Sequence, residues 1–330
     1  MTEWDGLVER ADGSTFCHLA GWGEILTDVL GHEWVPLSVR APDGQLSGVL
    51  PLVRLRSRLL GDRLVSMPFL NYGGPVGAAD ARRRLVRAAV AEAHRSDAAW
   101  LEIRAREAID CGLSPGRSKV TVLLELPVDL ETLWQEFRST VRNRIRRARK
   151  EGMEVRVGAD QLEPFYDVFA RNMRDLGTPV LPRVFFERVA SRFAGLVDFT
   201  AIWWRDRPVA GSCGFVWRDE FEITWVSSLR EHNVRAPNML LYWSLMERMS
   251  RRGVRLFNFG RCTPGGGTHR FKRNWGGADV PLQWKQWAGR AGAGSASYDA
   301  PGYRAAAAVW RRLPVPVTRR LGPLLARQLP

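Results

Sequence analysis

Short apolar strand patterns and one helical pattern recur in the same order in the two halves of this chain. In the first half, Val35–Val39 reads as a strand, Ala41-Pro-Asp-Gly44 as a turn and Leu46–Val53 as a second strand. A helix is predicted over Ala81–Arg95 and a further strand over Trp100–Ile103. The second half repeats this with strands Phe199–Trp204 and Val209–Trp217 around the turn Arg205–Pro208, then a strand Glu222–Ser227. A helix over Pro237–Arg251 and a strand over Arg255–Phe259 follow. Each turn leads into a strand containing a glycine, Gly48 or Gly211, 163 positions apart, and Leu101 and Leu256 are 155 apart. Near-equal offsets over two elements predict a duplicated α/β domain. The order hairpin, helix, strand predicts a mixed sheet with a helical crossover in each half.

Between the halves, Trp134, Phe137, Val141, Ile145 and Ala148 recur at helical spacing and predict one amphipathic helix over 134–151. Its other faces carry Arg138, Arg142, Arg144, Arg146, Arg147, Arg149 and Lys150, with no acidic residue among them. Like charges at i, i+4 repel. A face kept this basic predicts an anionic partner, with Arg142 and Arg146 on its binding flank. The pattern divides the chain into a first domain over 1–130, a second over 131–290 and a basic, proline-containing tail over 291–330. Residues 288–300 are rich in Gly, Ala and Ser and read as a loop. The tail alternates short apolar and basic clusters, which suits packing across the domains or lying on an acidic membrane surface.

Charge strengthens the expectation of an anionic partner. Lys and Arg number 49 against 35 Asp and Glu, a formal net charge of +14. The partners this suggests are nucleic acid, anionic lipid or a phosphorylated substrate. The four cysteines are far apart, form no CxxC and stand at no metal-ligand spacing to a histidine, so no metal is expected. Glu3, Asp5 and Glu9 give the N-terminus none of the character of a secretory signal, and no apolar run approaches a membrane span. The expected location is cytoplasmic, with peripheral membrane contact through the tail. There is no GxSxG elbow, no GxxxxGK[ST] loop and no GxGxxG after the first strand, which sets aside α/β-hydrolase, P-loop and Rossmann chemistry.

One stretch concentrates the candidate chemistry. The strand ending at Phe259 runs into Gly260-Arg-Cys-Thr-Pro-Gly-Gly-Gly-Thr268 and then a basic helix with Arg270, Lys272 and Arg273. Gly265, Gly266 and Gly267 permit close backbone approach to a ligand, and helix N-termini and cations favour anions. Arg261, Thr268 and Arg270 are candidate substrate contacts. His269 is the only one of five histidines placed like a catalytic group, with loop capping as its other role. Such a site suits acyl transfer without a covalent enzyme intermediate, with Lys272 stabilising the oxyanion or leaving group. Tyr72, followed by Gly73 and Gly74, marks a pocket or a plain turn in the first half.

Several motifs together resemble the FemAB/FemX group of peptidoglycan bridge-forming aminoacyltransferases. The likeness extends to the FemAB-like proteins found with exosortase (PEP-CTERM) exopolysaccharide systems. The motifs are Met67-Pro-Phe-Leu-Asn-Tyr-Gly-Gly74, Arg142-Asn-Arg-Ile-Arg-Arg-Ala148, Met173-Arg-Asp-Leu-Gly-Thr-Pro179, Phe257–Gly276 and Trp310-Arg-Arg-Leu-Pro314. The resemblance implies tandem GNAT domains, a tail returning to the first domain and no metal or cofactor. It also implies aminoacyl transfer from tRNA to an amine of a cell-envelope or exopolysaccharide precursor. By position Lys272 matches the lysine of the family's Phe-Lys-x-x-Trp/Phe-Gly element, and Arg174 and Thr178 would lie near the same cleft. Asn258 and Cys262 stand where Asp and Ser are common in the family, and its inserted coiled-coil arm is absent. Acyl-CoA is the alternative donor. The place of the Q/R-x-x-G-x-G/A turn that cradles its pyrophosphate reads Arg230-Glu-His-Asn-Val-Arg-Ala-Pro-Asn238, without glycine. A basic protein that binds anionic glycan or lipid intermediates without catalysis is the other alternative.

Overall fold

Residues 2–57, 61–289 and 301–329 are described by a computed structural model of the chain. In chain order the first elements are α1 (Glu3–Arg10), α2 (Gly21–Leu30), β1 (Glu33–Arg40), β2 (Leu46–Ser57), β3 (Gly61–Ser66) and β4 (Val76–Gly77). Then come α3 (Ala79–Arg95), β5 (Trp100–Ala105), β6 (Ser114–Pro115), β7 (Val120–Glu125), α4 (Leu130–Glu136), α5 (Ser139–Lys150) and β8 (Glu154–Val157). They are followed by α6 (Leu162–Leu176), α7 (Arg183–Arg192), β9 (Val197–Trp204), β10 (Arg207–Trp217), β11 (Glu220–Ser228) and α8 (Pro237–Arg251). The last are β12 (Leu256–Cys262), α9 (Gly267–Arg273), β13 (Ala278–Pro281), β14 (Gln283–Ala288), α10 (Pro301–Trp310) and α11 (Val315–Ala326).

The chain forms two units. The first comprises Met1–Lys119, Pro281–Ala305 and Pro323–Pro330, and the second Val120–Val280 and Ala306–Gly322. The first sheet has the order β1-β2-β3-β5-β14-β6, with β4 on β2. The second has the order β13-β7-β12-β11-β10-β9-β8. The duplication is visible in this order. The hairpin β1–β2 corresponds to β9–β10, and the parallel pair β3/β5 to β11/β12, with α3 and α8 as crossovers. Both units are mixed α/β layers, as the patterning predicts.

The last strand of each sheet comes from elsewhere in the chain. β7 follows the first half yet pairs antiparallel with β12, and β14 follows the second half yet pairs antiparallel with β5. The division therefore falls at Lys119/Val120, before the expected boundary at 130, because β7 hydrogen-bonds into the second sheet. The expected single helix over 134–151 is two helices. Phe137 leaves α4 with extended backbone, and Arg138 precedes α5 with ψ 144°. Phe137, Val141, Ile145 and Ala148 are buried as the spacing requires, and Trp134 is half-buried.

The tail expected to return to the first domain divides between the units: Ala306–Gly322 groups with the second and Pro323–Pro330 with the first. The α10–α11 segment docks at the end of α6. Arg174 donates to the Leu313 carbonyl at 3.1 Å, Arg311 donates to the Leu176 carbonyl at 3.2 Å, and Arg319 pairs with Asp167. A Cβ on Gly177, which has φ 80°, would sit 2.8 Å from the Ala307 Cβ. The loop expected over 288–300 lies, from residue 290 on, outside the described residues.

Candidate active site

In the second unit, β11 and β12 pair in parallel at only three registers, Glu220↔Leu256, Phe221↔Phe257 and Glu222↔Asn258. Both strands continue, β11 to Ser228 and β12 to Cys262, so their unpaired ends form an opening in the sheet. At that point β12 bulges. Its register with β7 shifts between Asn258 and Arg261, and Gly260 takes φ 69°, a left-handed conformation inside a strand. Asn258 is fully buried and holds the bulge, its Oδ1 accepting from the Gly260 N–H at 2.8 Å and from Thr121 Oγ1 at 2.5 Å. Its Nδ2 donates to Glu220 Oε1 at 2.6 Å and Glu222 Oε2 at 3.3 Å, and Thr224 donates to Glu222 Oε1 at 3.1 Å.

The bulge receives Lys272. From α9 its Nζ donates to the Gly260 carbonyl at 2.6 Å and the Arg261 carbonyl at 3.0 Å. Its side chain is almost wholly buried, at 4% exposure. Burial, partly opposed by Cys262 and Glu222, pulls its pKa down to about 8. An ammonium has three N–H groups. Two are spent on the bulge carbonyls, and among the described residues no protein group takes the third. A cation with one unspent donor, beside an opening in the sheet, can stabilise negative charge developing on a substrate oxygen. Gly260→Ala is expected to destabilise the second unit by about 1–2 kcal/mol, because a Cβ disfavours left-handed backbone, and to loosen Lys272. A lowered melting temperature together with a raised Lys272 pKa, read by NMR titration, checks this.

Both ring nitrogens of His269 have hydrogen-bond partners. Its Nδ1 accepts from the Gly265 N–H at 3.0 Å, which places the ring proton on Nε2, 3.0 Å from Asp279 Oδ1. Of the two roles the sequence offers His269, these contacts are those of loop capping: the ring fastens the glycine loop. Arg270 does the same, donating to the Gly265 carbonyl at 2.8 Å. Of the three consecutive glycines only Gly265 needs positive φ, at 75°, while Gly267 and Thr268 lie on the surface. Arg261 is half-buried beside the Lys272 anchor.

Other expected site residues are employed elsewhere. Arg142 donates to the Gln135 carbonyl at 2.9 Å, closing the end of α4, and Arg146 lies 5.4 Å from the centre of the Trp134 ring. Arg174 holds the tail through Leu313 and pairs with Asp175 at 2.6 Å, and the Thr178 N–H returns to the Met173 carbonyl as part of the α6 terminus. Arg138, Arg144, Arg147 and Lys150 are exposed and have no acidic partner among the described residues. Tyr72 is fully buried, with Arg106 5.5 Å from its ring centre.

The corresponding place in the first unit is filled. There β3 and β5 also pair at three registers, ending at Val65↔Glu102. Arg104, two residues on, donates to Glu102 at 2.8 Å and to the Met67 and Leu70 carbonyls at 3.2 Å. Its guanidinium lies 4.8 Å from the centre of the Trp284 ring. The loop it grips holds Met67 and Phe69 at positive φ. An arginine wedged between the strands takes the space that the second unit leaves open.

Comparison with known proteins bears on the fold. Residues 135–273 match the family model described as an acetyltransferase (GNAT) domain. No curated protein sequence matches the chain. Among solved structures, the crystal structure of FemX is similar at TM-score 0.65 and 14% identity, covering 87% of this chain and 96% of that one. L-PGS from Bacillus licheniformis is similar at TM-score 0.58 and 13% identity, covering 98% and 96%. A tandem GNAT protein from the clavulanic acid biosynthesis pathway is similar at TM-score 0.50 and 14% identity, covering 81% and 85%. At these identities the likeness is one of fold. The chain has the fold of a tandem pair of GNAT-like domains.

Proposed function

We propose that the second unit is an N-acyltransferase that moves an aminoacyl group from aminoacyl-tRNA to an amine of a cell-envelope or exopolysaccharide precursor. The observation that carries this reading is Lys272, buried, lowered in pKa and anchored on the bulge carbonyls where β11 and β12 part. In the reaction the amine nitrogen attacks the ester carbonyl carbon. A C–N bond forms, the C–O bond to the ribose breaks, and the ribose hydroxyl leaves with a proton while the amine loses one. Lys272 serves the oxyanion and the departing oxygen in its protonated form.

Three further observations support the donor and acceptor classes. The unpaired cations of α5 suit a phosphate-rich donor bound without sequence readout. The segment after β11, where a coenzyme A pyrophosphate would need free backbone N–H groups, is a 3-10 helix, Arg230–Arg235. The His232 N–H is spent on the Leu229 carbonyl and the Ala236 N–H on the Asn233 carbonyl. In the tail, Val309, Val317 and Leu321 are exposed near Arg312 and Arg320, which suits contact with anionic envelope lipid. Among the described residues no helix is long and apolar enough to cross a membrane. Aminoacyl transfer to envelope components also accords with the FemX and L-PGS likenesses.

Donor binding tests the reading. The purified chain is expected to bind charged tRNA saturably, with affinity falling as salt rises, and to leave acetyl-CoA unbound. Arg144→Ala with Arg147→Ala should weaken tRNA binding several-fold and lower the salt slope by about 1–2, since each phosphate contact contributes roughly 0.7–0.9. Binding of acetyl-CoA alone would replace the tRNA reading with that of an acyl-CoA-dependent enzyme.

A further inference from the structure

A second cleft of the second unit, about 440 Å³, lies where the β9–β10 turn, α6 and the 3-10 helix after β11 meet. It flanks β11 on its β10 side, whereas Lys272 serves the β12 side. The proposed transfer reaction gives this cleft no role.

Its walls are cationic. The hairpin turn is two residues long, with Trp204 paired to Arg207, and both turn residues have positive φ, Arg205 at 49° and Asp206 at 59°. Asn-Gly would adopt that backbone with less strain. The chain instead keeps Arg205 here, its guanidinium 4.4 Å from the centre of the Trp204 ring, with Arg207 next to it on the cleft wall.

The carboxylates lining the cleft already have partners. Asp167 pairs with Arg319, and Glu231 with Arg171 at 3.3 Å. Arg205 and Arg207 have no acidic partner among the described residues, so two positive charges are left over. His232, also in the wall, packs edge-on to Trp204 at 5.3 Å. Its Nε2 lies 3.7 Å from Glu231 Oε1, and its Nδ1 is buried without a hydrogen-bond partner. A buried ring nitrogen left unpaired is costly, and a bound anion favours the doubly protonated ring, whose Nδ1–H can donate to a ligand oxygen while Nε2–H faces Glu231.

We propose that this cleft binds the phosphate group of a small phosphorylated ligand, held by Arg205, Arg207 and His232. A phosphate ester carries close to two negative charges near neutral pH and offers several acceptor oxygens. This matches two uncompensated guanidinium groups and one unused ring nitrogen. A volume of several hundred Å³ accommodates the rest of a small molecule beside the phosphate.

The test is an NMR titration of the full chain, labelled at histidine, with inorganic pyrophosphate at constant ionic strength. The His232 ring resonances should shift saturably. Arg205→Asn, which tolerates the left-handed turn, combined with Arg207→Ala should weaken binding at least tenfold without changing the melting temperature. His232→Gln, followed by calorimetry, should also weaken it. Arg144→Ala with Arg147→Ala on α5, and Lys272→Met, should leave it within twofold. The proposal is overturned if pyrophosphate leaves His232 unmoved or the Arg205/Arg207 variant binds like the native chain. It is equally overturned if the α5 variant loses binding to the same degree, since the effect would then belong to the basic surface at large.

Discussion

Lys272→Met is expected to lower the rate of the proposed aminoacyl transfer by about 10²–10³-fold, the usual consequence of removing one preorganised oxyanion donor. The same change should leave the melting temperature within a few degrees of that of the native chain. Methionine fills a comparable volume but leaves the Gly260 and Arg261 carbonyls without their donor, at about 1–2 kcal/mol each. Against this stands the cost of a buried ammonium. A pKa pulled down to about 8 from an ordinary value of 10.5 corresponds to a penalty on the order of 3 kcal/mol for the charged form. The unfolded chain holds this proton up to about pH 10.5 and the folded chain only to about 8. The penalty is therefore fully present below pH 8 and is relieved as pH rises towards 10.5, so stability gains with pH across that window. In Lys272→Met this gain should vanish. Loss of activity without loss of stability is the signature of a group retained for chemistry. Thermal melts from pH 7 to 10 and single-turnover rates on both proteins check the pair of expectations.

Trp275→Ala should have the largest effect on stability. Trp275 is 1% exposed and packs against Phe137 at 5.4 Å, Tyr242 at 5.8 Å, and Phe259 and Phe271 at 6.4 Å between ring centres. Removing a buried tryptophan side chain costs about 3–5 kcal/mol, which for a unit of this size lowers the melting transition by roughly 10 °C. The function of the site should fall with it. Trp275 follows Lys272 by one helical turn, its N–H bonds to the Lys272 carbonyl at 3.2 Å, and Phe259 precedes the bulge glycine. Trp275→Phe retains most of the apolar contact and should recover most of the loss. Calorimetric melts of the two variants measure this. An Ala variant melting within 2 °C of the native chain would mean that the aromatic cluster does not support the site.

The duplicated hairpins were legible because their turns are local. Ala41–Gly44 and Arg205–Pro208 carry turn residues, and the strands beside them carry apolar patterns. The exchanged strands β7 and β14 were not, since pairing with β12 and β5 depends on partners more than a hundred residues away in sequence. The break between α4 and α5 was hidden because the apolar spacing continues unbroken through Phe137. At the site, Lys272 stood out by its place in a basic helix after a glycine loop and by a motif that resembles one of the FemAB/FemX group. Gly260 did not, because a left-handed glycine within a strand has the same letter as any other glycine. The polar Asn258 between Phe257 and Phe259 was the available signal that the strand harbours a hydrogen-bonding device. For His269 the sequence left proton transfer and loop capping open, because residue type reveals neither of its two partners, Gly265 and Asp279. Arg174 was placed near the cleft by motif, whereas its side chain is committed to the Leu313 carbonyl in the tail.

The most direct test of the central claim is a transfer assay with the native chain and Lys272→Met. Labelled aminoacyl-tRNA and labelled acetyl-CoA are supplied separately, with a bacterial envelope-precursor fraction as acceptor. Label is expected to move from tRNA into an amide product that survives mild alkali, at a rate reduced at least a hundredfold in Lys272→Met, with no label from acetyl-CoA. Transfer from acetyl-CoA alone, or equal rates in the two proteins, would contradict the claim.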